Sequence, residues 1–400
     1  MALRSTIASA VRRVDANLRR WTGRRRVFVY VRNAMHVGVL EPVTRALERD
    51  PRVTVTFIPE TDGKRRHIDR ASGRSRRWAS PASARGRRVD LLITADPWNP
   101  PVMYRCYRRM NFFHGVAGKY NLDDPSRLPI GFEVYDRVAF VNADRMQRYL
   151  NLGILTPSVA SLVGYPKLDA LVNGRYDAAA VRARLALDMH RPTALYAPTW
   201  SPASSLNFAG ETIVKSLVDA GCNVIIKPHD LSFDPDPKYS GGIDWRRRLH
   251  AIERAGRVVV ASDPDATSLL PATDVLVTDH SSIAFEFCLL DRPIVVVDAP
   301  DLPRVARINP ERIALLRSAA RVVTDPATVG GAAVDELGHP SRHKAERAAI
   351  ARSMFFEPGA ATERALAVVY DLLEMTPPPQ VAAAVAVNQR PFGAKLSRSA

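Results

Sequence analysis

The chain has 400 residues, 46% hydrophobic and 24% charged, with a formal net charge of +16. That balance belongs to a globular protein large enough for two domains, and no apolar run is long enough to be a transmembrane helix. Cys106, Cys222 and Cys288 stand far apart in apolar surroundings, which argues against a disulfide framework or a metal site and fits a reducing cytosolic setting.

The charge is concentrated in two places. Residues 1–26 hold eight arginines against Asp15, and residues 64–88 hold ten lysines and arginines against Asp69. Clusters of this kind seek polyanions such as anionic lipid, nucleic acid or a phosphate-rich polymer, although a solvated arginine-rich surface reads the same way. Within the first cluster Leu3, Ile7, Val11, Val14, Leu18 and Trp21 recur every three or four residues. The spacing predicts a basic amphipathic helix over 1–26, able to lie on a membrane surface or to pack on the protein's own body. A secretory signal is the less expected reading, because no continuous apolar core or small-residue cleavage site is seen.

From residue 27 onward apolar β-branched runs alternate with helically spaced stretches. "RVFVYV", "RVTVTFIPE", "VDLLITAD" and "RVAFVNA" read as buried strands, and Val39 to Leu47 reads as a helix. The segment from Thr61 to Arg88 is polar and aperiodic, and is expected to be a long loop. A second series begins near Arg191 with "PTALYAPTW", "CNVIIKPHD", "TDVLVTD" and "PIVVVDAP". The pattern predicts two Rossmann-like, doubly wound α/β domains facing each other across an interdomain cleft. The expected boundaries are the amphipathic helix at 1–26, a first Rossmann-like domain at 27–180, a second at 181–375 and a disordered tail at 376–400.

Ligands of open α/β sheets collect at the carboxyl ends of strands, and polar residues concentrate there in this chain. "TDHSS" places Thr278, Asp279, Ser281 and Ser282 where a strand gives way to a helix. Unpaired amides at a helix start, with serine hydroxyls beside them, form an anion seat suited to a diphosphate; a simple cap by Asp279 or Ser281 is the bland alternative. Glu286, further along the same helix, offers a carboxylate to ribose hydroxyls or else sits exposed on the helix. Thr199 ends one strand, and Lys227 and His229 end another in "KPH". A lysine after an apolar strand calls for an anion, and the histidine can donate to phosphate or exchange a proton. In the first half "FFHGVAGK" supplies His114 as a base, Gly115 for close approach and Lys119 to hold an acceptor phosphate. His36 is the competing base, and either imidazole could instead be a bonded core residue.

With these residues in view, the sequence resembles the CDP-glycerol glycerophosphotransferases. "FHGVAGK", "GYPKLD", "YAPTW", "KPH" and "TDHSSIAFE" match that family's pattern in order across residues 112–298. The sequence departs from it at His280, where a tyrosine is usual, at Phe113, and in "VAGK" after the histidine–glycine pair. The resemblance implies a GT-B architecture, a CDP-glycerol or similar CDP-polyol donor held by the second domain, and a basic histidine in the first. It implies no metal and no cofactor, a lipid-linked or polyol-phosphate acceptor, and a peripheral position on the inner, cytoplasmic face of the membrane, against its anionic surface. The expected role is transfer of glycerol phosphate to a hydroxyl of a membrane-associated acceptor in cell-surface polymer synthesis. His114 and His229 are the expected catalytic residues. Thr199, Lys227, His229, Thr278, Asp279, Ser281, Ser282 and Glu286 are the donor set, and Gly115, Lys119 and His36 the acceptor set. A nucleotide-sugar transferase or 2-epimerase is the alternative. A nucleic-acid binder stands lower, because the basic clusters carry no interleaved aromatics or reading module.

Overall fold

The computed structural model describes residues 23–388, apart from 96–100, 125, 127–130, 254–256 and 264. The expected helix over 1–26 falls mostly outside the described residues, and its last part is strand instead, because Arg25 and Arg26 open β1. The chain forms two compact units, one of residues 1–114, 129–169 and 356–400 and one of residues 115–128 and 170–355.

The first unit begins with β1 (Arg25–Val31), α1 (Ala34–Glu48), β2 (Val53–Pro59), α2 (Lys64–Ser72), β3 (Val89–Thr94), β4 (Cys106–Phe112), β5 (Arg137–Phe140) and β6 (Ala160–Leu162). The second holds β7 (Thr193–Tyr196), α3 (Ser205–Asp219), β8 (Asn223–Ile226), β9 (Val258–Val260), β10 (Val275–Thr278), α4 (Ser282–Phe287), β11 (Ile294–Val297), α5 (Pro310–Ser318) and β12 (Arg321–Val323). The chain then returns to the first unit with α6 (Ala361–Leu372) and α7 (Pro379–Asn388).

Both sheets are six-stranded and parallel, in the orders β2-β1-β3-β4-β5-β6 and β12-β11-β10-β7-β8-β9. The near-continuous apolar strands follow from this, since helices cover both faces of a parallel sheet and leave no polar side. Strand order reverses between β1 and β3 in the first unit and between β7 and β10 in the second. Those two switch points are where each sheet opens a crevice at the carboxyl ends of its strands.

Three boundaries differ from the sequence-based expectation. The stretch after Thr61 is not a structureless loop; it contains α2 and a short helix at Pro81–Arg85. Ile68 is the one fully buried side chain among the described residues of α2, so the helix carries no apolar stripe to read. The first unit ends at Asp169 rather than near residue 180, and takes back everything from Phe356. The segment after Thr376, expected to lack structure, is helical over α7.

The return is pinned by "GYPKLD". Asp169 accepts from the amides of Gly359 (3.1 Å), Ala361 (3.1 Å) and Thr362 (2.6 Å), and from the Thr362 hydroxyl (2.6 Å), so it caps α6 from another part of the chain. Arg364 on α6 donates to the carbonyls of Val163 (2.8 Å) and Glu357 (2.6 Å). Gly164 has φ +85°, and a β-carbon there would stand 2.6 Å from the Phe356 carbonyl oxygen. Only glycine meets both demands.

Candidate active site

In the second unit the switch point is built around Asp279. Its Oδ1 accepts from the amides of Thr199 (2.8 Å) and His280 (2.6 Å), and its Oδ2 from the amide (2.9 Å) and hydroxyl (3.0 Å) of Ser205. Thr278 donates its hydroxyl to the Ala197 carbonyl at 2.7 Å. Asp279 is 1% exposed and Thr278 fully buried. Four donors occupy the carboxylate's acceptor sites, so Asp279 does not cap α4 and has none left for a ligand, and Thr278 has spent its one hydroxyl proton. Both were expected in the donor set; they instead fasten the loop after β7 to the end of β10.

Past Asp279 the chain presents Ser281 and Ser282, both half-buried. The Ser281 side chain makes no capping bond. Because α4 is only six residues long, its charge-attracting capacity lies in the local amides and hydroxyls rather than in a macrodipole. Glu286, on the same helix, is 3% exposed and engaged with neighbours, which overturns the reading of an exposed helix residue.

The structure moves Gly115 and Lys119 from the expected acceptor set to the second unit, whose first segment starts at Gly115. Gly115 has φ +75°, and its β-carbon position lies 3.9 Å from the Ser282 hydroxyl. The Lys119 ammonium donates to the Thr199 hydroxyl. Desolvation pulls its pKa down to about 8, with the Asp279 carboxylate partly opposing the shift. His280 donates Nε2–H to the Ala117 carbonyl at 3.0 Å. Burial, with help from the charge of Lys119, lowers its pKa to about 4, so it is a neutral tether for this segment. Further on, Asn309 donates its amide to Gly118 (2.9 Å), and a buried Asp123–Arg312 pair (2.8 Å) closes the anchor.

Sequence reasoning missed an aromatic cluster beside these residues. Trp200 stacks on Tyr120 at 5.3 Å and 17°, meets Tyr239 edge-on at 5.5 Å and lies 6.0 Å from the His229 ring. Its signal was the tryptophan of "YAPTW" and the tyrosine after Lys119, residues 80 apart in sequence. At the end of β8 the Lys227 ammonium donates to the Pro228 carbonyl at 3.0 Å. His229 Nδ1 accepts from the Leu231 amide at 3.1 Å, which puts the proton of the neutral ring on Nε2. In that tautomer His229 offers Nε2 as a donor to an anion, not as a base.

In the first unit, His36 and His114 meet at the β1/β3 switch point, ring centroids 5.3 Å apart. Asn33 caps α1 by accepting from the His36 amide at 3.0 Å, which sets His36 in the first turn, 2% exposed. Its Nδ1 accepts from the Arg32 amide at 3.4 Å. His114, half-buried after β4, donates Nδ1–H to the Ala95 carbonyl at the end of β3. A carbonyl can only accept, so the neutral His114 ring keeps its lone pair on Nε2, where a base needs it. The two histidines are therefore neighbours with opposite tautomers, and His114 has the basic one.

Among the described residues no cluster of His, Cys, Asp and Glu side chains is arranged to hold a metal ion, and no helix is long and apolar enough to cross a membrane.

Comparison with known proteins finds sequence and fold relatives. The model of the family CDP-Glycerol:Poly(glycerophosphate) glycerophosphotransferase matches residues 158–304. A teichoic acid glycerol-phosphate primase from Bacillus spizizenii is 27% identical over 140 residues, 33% of this chain and 32% of the primase, so the chain matches about a third of that relative's length. Among solved structures, the wall teichoic acid polymerase TagF, in a form soaked with CDPG, superposes with a TM-score of 0.66 at 15% identity, over 88% of this chain and 90% of that one. A putative UDP-N-acetylglucosamine 2-epimerase from Listeria monocytogenes superposes with a TM-score of 0.57 at 13% identity, over 89% and 98%. At such identities the structural likeness shows the fold alone, two parallel α/β sheets shared with TagF and the epimerase.

Proposed function

Because the chain is similar in sequence to the CDP-glycerol glycerophosphotransferase family and shares the fold of TagF, we propose that it transfers glycerol phosphate, or a related polyol phosphate, from a CDP-activated donor. The receiving group is a hydroxyl of a membrane-associated acceptor in cell-surface polymer synthesis, on the cytoplasmic face of the membrane. The observation that carries the reading is the convergence at the β7/β10 switch point. Lys119 on Thr199, Ser281 and Ser282 at the start of α4, and Lys227 and His229 at the end of β8 are the donors a diphosphate requires.

In this mechanism His114 Nε2 removes the proton of the acceptor hydroxyl as its oxygen attacks the β-phosphorus of the donor. The new phosphorus–oxygen bond forms as the bond to the bridging oxygen breaks, and CMP leaves with that oxygen. Lys119, Lys227, His229 Nε2–H and the serine hydroxyls bear the charge that builds on the departing phosphate. The Nδ1–H bond to Ala95 holds the His114 ring in the basic tautomer.

The deciding experiment follows CMP release from CDP-glycerol by the His114→Ala variant with a lipid-linked acceptor. Turnover should drop roughly a hundred- to ten-thousand-fold while CDP-glycerol still raises the melting temperature. Near-normal turnover would remove His114 from the role. The fold shared with a 2-epimerase favours one second reading, a nucleotide-sugar substrate. A thermal-shift panel of CDP-glycerol, CDP-ribitol and UDP-sugars separates the two, since a ligand at a hundred times its Kd stabilises by about 2.7 kcal/mol.

A further inference from the structure

The strongest charged feature outside the site is a groove of about 690 Å³ in the first unit, lined by Arg24, Arg26, Arg77, Arg87 and Arg88 over Phe28 and Trp78. It opens at the amino ends of the strands. Arg26 is the second residue of β1, where it is in register with Thr54 of β2, and Arg87 and Arg88 directly precede β3. His36 and His114 follow the carboxyl ends of their strands, and β1 runs seven residues, roughly 20 Å. The groove is thus separate from the histidine pair.

The structure sorts the described part of the two basic clusters into spent and unspent charge. Lys64 is paired with Glu60, Arg74 with Glu41 and Glu48, and Arg76 with Glu41. Arg24, Arg26, Arg77 and Arg87, by contrast, are exposed and have no carboxylate partner among the described residues. Arg88 is 6% exposed, its Nη2 stands 3.7 Å from Asp90, and its buried Nε makes no hydrogen bond. Asp90 also accepts from the Arg26 amide at 2.7 Å, so the carboxylate beside Arg88 is shared with the backbone of β1. A buried guanidinium with an unused donor is costly unless an anion completes it.

We propose that this groove binds a phosphodiester chain, with the phosphates on its arginines and the neutral polyol carbons over Phe28 and Trp78. The cavity is several times the size of one phosphate, and its cations are spread along it rather than focused on a point. An anion must enter the groove to reach Arg88, as a flexible chain can and a planar layer of lipid headgroups cannot. Trp78 is fixed in the groove wall. Its indole N–H donates to Asp69 at 2.9 Å, and its ring lies 5.7 Å from that of Phe57. Naming the chain as poly(glycerol phosphate), the earlier units of a growing acceptor, rests on the function proposed above.

The test compares the full-length protein with its Arg77→Glu/Arg87→Glu variant. The probes are labelled lipid-free poly(glycerol phosphate), single-stranded DNA of equal phosphate number, and phosphatidylglycerol/phosphatidylcholine vesicles, each over a range of salt. The wild type should bind poly(glycerol phosphate) more tightly than the DNA. The variant should bind it at least tenfold more weakly, with a salt dependence shallower by about 1.4 in the log–log slope for two lost phosphate contacts. Its thermal shift with CDP-glycerol should not change. Should the charge reversal prevent folding, Arg77→Gln/Arg87→Gln decides by the same readings. Undiminished chain affinity, equal binding of DNA, or a loss confined to vesicles overturns the proposal. Normal turnover in His114→Ala would overturn the catalytic reading and leave this one standing.

Discussion

Lys119 and Asp279 show how little a residue's type says about its task. Asp279 follows β10 and Lys119 lies in the second unit's first segment, yet Asp279 is saturated by four protein donors and Lys119 has only a neutral hydroxyl. A cation held in that way is poised for an anion, and its pKa of about 8 makes the consequence measurable. The folded value lies below the ordinary 10.5 of a lysine. Between about pH 8 and 10.5 the unfolded chain therefore holds a proton that the folded chain has released, and folding stability rises with pH through that window. Donor binding runs the other way, because a diphosphate needs the ammonium. CDP-glycerol affinity measured by calorimetry from pH 6.5 to 9.5 should weaken above pH 8 by up to tenfold per unit. Lys119→Met should bind more weakly at every pH and without that slope. An unchanged profile in the variant would take Lys119 out of the donor seat. The sequence named the lysine but assigned it to the acceptor, since the contact with Thr199 spans 80 residues.

Among the elements, α6 has the least local explanation. Its own first turn contains no side-chain cap, and the four bonds that a cap would share come from Asp169. Through Asp169 and Gly164 the "GYPKLD" motif secures architecture. Asp169→Ala leaves three amides and a hydroxyl unserved and should destabilise the first unit by about 2–4 kcal/mol. Urea unfolding followed in the first unit checks this, and the CDP-glycerol thermal shift of the second unit should persist. The strands named from the sequence were legible because they are apolar runs covered on both faces, whereas α2 was not, because among its described residues it buries one isoleucine, and it is Arg74 and Arg76, just after it, that pair with Glu41 of α1.

At the scale of the molecule the chain divides its residues between two units discontinuously, with Gly115–Leu128 given to the second and everything from Phe356 to the first. The returning segment is part of the first unit's core. Ala361, Ala365 and Val369 are fully buried, and the Tyr370 hydroxyl bonds Asp50 at 2.8 Å. A chain ended at Phe355 should thus lose the cooperative unfolding of the first unit and keep that of the second, which calorimetry resolves as one transition in place of two. Two surviving transitions would show that the segment is dispensable. The sequence by itself determined the parallel α/β class, the family likeness and the neighbourhoods of the site, since strand periodicity, turn chemistry and strand-end polarity are local properties that a linear pattern can carry. Only the tertiary structure decided that Asp279 and Asp169 are saturated, that His36 and His114 hold opposite tautomers, that Lys119 belongs with Thr199, and that five arginines share one groove. Hydrogen-bond saturation and charge neutralisation depend on partners distant in the chain, and no local pattern counts them.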